Sequence, residues 1–89
     1  MAHAVDVTVT GQVQGVFFRA QTRERAGRLG VTGWVRNDPD GSVSAHFEGD
    51  QEAVATIVEW CHEGPPHARV ERVDVQEVEP TGAQEFEVR

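Results

Sequence analysis

Lysine is missing from this sequence: all 8 basic residues are arginines. That excludes a Schiff-base lysine and the lysine of a P-loop. Any anion bound here meets guanidinium, whose planar fork suits two-point contact with phosphate. Positive charge is scarce in general, 8 basic residues against 15 acidic ones, for a formal net charge of −7. Such a balance repels nucleic acid and anionic membrane, so any anion site has to be local. Cysteine is nearly absent as well. The single Cys61 closes no intrachain disulfide, which leaves the fold to packing alone and fits a reducing compartment. No run approaches the ~18 apolar residues of a membrane span, and the opening MAHAVDV lacks the basic and apolar regions of a signal peptide. The expectation is a cytoplasmic protein with no membrane partner, and 89 residues at 38% apolar content suffice for one core and one domain, 1–89.

What is present alternates with two different periods. Val5, Val7 and Val9 alternate with polar residues, as in a half-buried strand ending near Val13. Phe18, Thr22, Ala26 and Leu29 then fall on one face at helical spacing, and Gly30 is placed to end that helix. Val31 to Asn37 and Ser42 to Glu48, the latter with Val43, Ala45 and Phe47 on one face, read as a hairpin around the turn NDPDG. Val54, Ile57, Val58 and Cys61 repeat at i, i+3, i+4, i+7, with Asp50 at the N-cap position and Glu52 in the first turn. Gly64, Pro65 and Pro66 stop this second helix. Val73 and Val75 begin a fourth strand whose alternation slips between Val70 and Val73, which suggests a bulge. Glu85 to Arg89 adds a short fifth. The order β-α-β-β-α-β predicts an α+β fold, the ferredoxin-like split β-α-β sandwich, an antiparallel sheet with two helices on one face.

The stretch GQVQGVFFRA, Gly11 to Ala20, runs from strand to helix with no acidic residue. Such a corner leaves main-chain N–H groups without intrahelical partners and adds the positive end of the helix dipole. Gly15 can take a positive φ, so the amides of Gln14, Gly15, Val16, Phe17, Phe18 and Arg19 can form a concave nest with Arg19 as its full charge. The plainer reading is a connection in which Phe17 or Phe18 plugs the core and Arg19 is solvated. The loop matches neither the dinucleotide fingerprint nor the P-loop. Asn37 likewise reads either as an Asx-turn residue organising NDPDG or, if the first strand lies beside the second, as a partner of Arg19 across a shared cleft.

These residues resemble the acylphosphatase family. GQVQGVFFR at 11–19, Ala26, Gly30, GWVRN at 33–37, DGSV at 40–43 and GPPHARV at 64–70 follow its pattern in order and spacing, from about Val5 to Val88. The resemblance implies a small cytosolic enzyme that hydrolyses the mixed anhydride of a carboxylic and phosphoric acid, without metal or organic cofactor. It implies further that Arg19 and the 14–18 amides hold the phosphate while Asn37 positions the attacking water. The expected partners are a small acyl phosphate and inorganic phosphate, as product and competitive inhibitor, with the chain a monomer.

Rival constellations are weaker. His3, His46, His62 and His67 include no i, i+4 pair, which argues against a metal site. Cys61 sits on an apolar helical stripe and reads as a core residue, and Trp34 and Trp60 read as packing anchors. Glu71, Asp74, Glu77, Glu79, Glu85 and Glu87 alternate as a solvated sheet face rather than a calcium site. RNA-recognition domains share the element order but need aromatics on the first and third strands and a basic face, whereas strand one here is Val and Thr and the net charge is negative. The alternatives in another class are a non-catalytic anion-sensing module, or the acylphosphatase-like domain of a carbamoyl-transfer maturation protein, which the 89-residue frame disfavours.

Overall fold

The alternating valines of the N-terminal segment form the middle of a sheet. The computed structural model describes residues 2–89. Its elements run β1 (His3–Gln12), α1 (Phe18–Leu29), β2 (Thr32–Asn37), β3 (Val43–Gly49), α2 (Gln51–Glu63), β4 (Arg69–Val78) and β5 (Phe86–Val88). The strands lie in the order β4-β1-β3-β2-β5. Val5, Val7 and Val9 pair with Phe47, Ala45 and Val43 across the β1–β3 ladder, so two short-period apolar sets coincide on one face. Phe18 and Ala26 of α1 and Val54, Ile57, Trp60 and Cys61 of α2 join the same buried cluster. Both helices therefore cover that one face.

Two expectations need correction. β1 does not lie beside β2; β3 is inserted between them, antiparallel to both. The sheet is also mixed rather than wholly antiparallel, because β5 pairs parallel with β2, Gly33 against Phe86 and Val35 against Val88. The consequence favours a site. Since β3 reverses direction twice, β1, β2 and β5 all run the same way, and their C-terminal ends meet at one edge of the molecule.

Local chemistry accounts for most boundaries. Gly30 closes α1 in the left-handed conformation, and the Val31 N–H donates to the Ala26 carbonyl at 2.9 Å. The slip in β4 is a real bulge: Thr10 pairs with Arg72 but Gly11 pairs with Val70, leaving Glu71 without a partner. Asp50 stands at the N-cap of α2, but its side chain makes no capping bond; only its carbonyl accepts from Val54, at 2.9 Å.

On the helix-free face, Ser44, His46 and Glu48 alternate with the core residues of β3. Asp6 and Glu48 each lie 2.6 Å from one ring nitrogen of buried His46. Glu48 also accepts from the Thr81 N–H at 2.9 Å, the Gly82 N–H at 3.1 Å and the Thr81 hydroxyl. Burial alone would raise the Glu48 pKa, yet the bonds from Thr81, His46 and Gly82 outweigh it and hold the carboxyl at about 2. Burial likewise opposes charge on His46, and the two carboxylates override it and raise its pKa. This network fastens the connection before β5 to the sheet.

Candidate active site

The loop from β1 into α1 folds as a strained corner. Gly15 adopts φ 75° and Phe17, the N-cap residue, φ 66°. The first main-chain bond into the helix is from the Gln21 N–H to the Phe17 carbonyl, at 3.0 Å. Among the described residues, no N–H from Gly15 to Arg19 donates to another protein group. A β-carbon at position 15 would meet nothing within 4 Å. That glycine is required by its φ, and a ligand approaching it has open space.

The loop is pinned from outside. The Gln14 amide donates to the main-chain carbonyls of Asp38, at 2.8 Å, and Ser42, at 3.0 Å. Both acceptors belong to the β2–β3 turn, so the loop is fixed to the strand end that carries Asn37. Val16 turns toward the apolar cluster. Phe18 is buried and packs on Trp60 with ring centroids 5.3 Å apart, so the core-plug reading holds for Phe18. Phe17 is 72% exposed.

A cavity of about 620 Å³ opens at this edge, lined by Val13, Phe17, Arg19, Arg23, Asn37 and Val88 among others. Gly15 and Phe18 also face it, whereas Gln14 and Val16 do not. Arg19 and Asn37 thus share one cleft, brought together by the common direction of β1 and β2 rather than by direct strand pairing. The Arg19 Nη1 donates to the Arg89 carbonyl at 3.3 Å. Asn37 is half-buried and does not organise the turn: Asp40 accepts from the Ser42 N–H at 3.0 Å, and Asp38 accepts from the Ser42 hydroxyl at 3.1 Å and from the Ser44 hydroxyl. The Ser44 bond, against some burial, holds the Asp38 carboxyl below its usual range. Asp38 and Asp40 supply the turn chemistry, and Asn37 lines the cavity.

Sequence reasoning missed Arg23, Val88 and the bracing role of the Gln14 side chain. Arg23 had a signal, since it stands four residues after Arg19 on the same helix face. Val88 had none. The histidines and acidic residues form no group of three or more that could hold a metal ion among the described residues.

An α+β sandwich of ferredoxin-like order whose strand-to-helix corner brings free amides, the Arg19 and Arg23 guanidinium groups and Asn37 to one cavity belongs to a class of small domains suited to holding an anion. The acylphosphatase family model matches residues 5–88. A Rubrobacter xylanophilus acylphosphatase is 68% identical over 87 residues, 96% of this chain and 78% of the relative. Solved structures of acylphosphatases from Coxiella burnetii and Bacillus subtilis superpose with TM-scores of 0.95 and 0.94, at 40% and 32% identity. They cover 99% and 100% of this chain, and it covers 93% and 99% of theirs. The chain belongs to the acylphosphatase family.

Proposed function

We propose that this enzyme hydrolyses acyl phosphates to carboxylate and inorganic phosphate by direct attack of water on phosphorus, using Arg19, the Gly15–Arg19 amides and Asn37. The observation that carries the reading is the convergence of Arg19 and Asn37 on one cavity beside a run of main-chain N–H groups without protein partners. An acyl phosphate already holds a good leaving group, so the protein has three tasks: grip the phosphoryl oxygens, stabilise their charge and aim the water. The amides and the guanidinium perform the first two. Asn37 performs the third by hydrogen-bonding the water in line with the departing carboxylate.

The bond between phosphorus and the acyl oxygen breaks as the water oxygen adds. Asn37 cannot accept a proton, so the water's proton passes to a phosphoryl oxygen or to solvent. No general base, metal ion or organic cofactor takes part. The 89 residues act as one monomeric domain in the cytoplasm, and inorganic phosphate, as product, competes for the cradle. An anion-sensing module has no observation in its favour, and relatives matched over most of their own length bear the acylphosphatase name.

Benzoyl phosphate hydrolysis by the wild type and Arg19→Lys, with and without EDTA, tests the reading. Activity should survive chelation, and the lysine variant, which loses the fork, should fall about 10²–10³-fold. Loss of activity on chelation, or an unimpaired lysine variant, contradicts the mechanism.

A further inference from the structure

The phosphate cradle accounts for only one end of the cavity. Phe17 forms part of the remaining wall, and its placement is unfavourable twice over. Among the described residues it is the one non-glycine residue with positive φ, 66°, a conformation that crowds any β-carbon and is an outlier for a bulky side chain. It is also 72% exposed, so burial of the ring does not offset the strain. Backbone strain of this kind persists where the surrounding fold imposes it, and it concentrates at ligand sites. Val88, 40% exposed, reaches the same cavity from β5. Large apolar side chains left exposed are Phe17, Val75 and Val88; the first and last stand on one rim although they come from opposite ends of the chain. The cavity, about 620 Å³, has the size of a small-molecule pocket and far exceeds a lone phosphoryl group.

We propose that Phe17 and Val88 form an acyl subsite that selects acyl phosphates whose acyl group is uncharged and apolar, aromatic ones above all. The inference rests on the hydrolytic reading above and deepens it. With the phosphoryl group on the cradle, an apolar acyl group covers the exposed ring and the valine and removes apolar surface of both partners from water. The burial is present in ground and transition states alike, so it raises kcat/KM chiefly through KM. An acetyl group buries too little of this wall to gain much. A charged acyl group loses hydration against it without recompense, unless Arg23, the other cation lining the cavity, reads that charge.

The test compares kcat/KM for benzoyl, acetyl and succinyl phosphate in the wild type, Val88→Ser, Phe17→Gly and Arg23→Gln. Val88→Ser should lower benzoyl phosphate turnover about fivefold while acetyl phosphate stays within about twofold. Phe17→Gly, which suits the positive φ and preserves the fold, should reduce the benzoyl-to-acetyl ratio by about tenfold or more through KM. An unchanged ratio in both variants overturns the apolar subsite. So does a wild-type preference for succinyl phosphate that disappears in Arg23→Gln. Hydrolysis of none of the three by the wild type would instead overturn the hydrolytic reading itself, and the subsite with it.

Discussion

Asn37 and Arg19 differ in what their removal should change. In the proposed mechanism Asn37→Ala deletes the group that aims the water but leaves the cradle intact, so kcat should fall at least about 10²-fold while inhibition by phosphate is nearly unchanged. Steady-state kinetics with phosphate as inhibitor separates the two quantities. Gly15→Ala places a β-carbon on a residue at φ 75°; it should cost about 1–2 kcal/mol of stability by urea unfolding, though the site has room for the methyl. For Arg19 the sequence alone left two readings, a solvated helix residue or the charge of an anion nest, and it was the family resemblance that assigned it the phosphate; the structure places it on the same cavity as Asn37. The Asn37 side chain was ambiguous. Turn chemistry could have claimed it, and only the position of Asp38 and Asp40 shows that it did not.

Among the elements, β5 is the one the sequence described least well. Its three residues dock parallel to β2, a pairing with no local signal, yet it carries Val88 to the cavity. The Asp6–His46–Glu48 network that secures it was hidden for the same reason: Asp6 and His46 are 40 positions apart. A stability profile should expose it. The Glu48 carboxyl has a folded pKa of about 2 against an ordinary 4.5, so its contribution is present above the ordinary value and lost as pH falls toward 2. His46 has a raised pKa, so its contribution is present below its ordinary value and lost as pH climbs through the folded one. The network should therefore stabilise most between about 4.5 and 6.5. Glu48→Gln should cost on the order of 3 kcal/mol in that window and flatten the acid limb, read by thermal unfolding across pH. Gly33→Ala tests the neighbouring ladder: its β-carbon would stand 1.8 Å from the His46 carbonyl oxygen, backbone that cannot yield, and the β2–β3 pairing should not survive.

For the whole molecule, the split arrangement reconciles a formal charge of −7 with an anionic substrate. One fold edge gathers Arg19, Arg23 and the unpaired amides, while the acidic residues of β4 face solvent. Element order and the face of each helix were readable from periodicity, whereas the insertion of β3 between β1 and β2 was not, because hairpin and crossover alone leave that order open. Cys61 reports on the integrity of the core: burial pushes its thiol up to about 12, so a disulfide reagent at pH 8 should leave the native protein unmodified and label one thiol only as the chain unfolds. The most direct measurement is an amide-resolved NMR titration with inorganic phosphate in wild type, Arg19→Gln and Asn37→Ala. The Gly15–Arg19 amides should shift together in the wild type and in Asn37→Ala, and respond at least tenfold more weakly in Arg19→Gln. Shifts centred elsewhere, or a full response without the Arg19 guanidinium, would contradict the cradle.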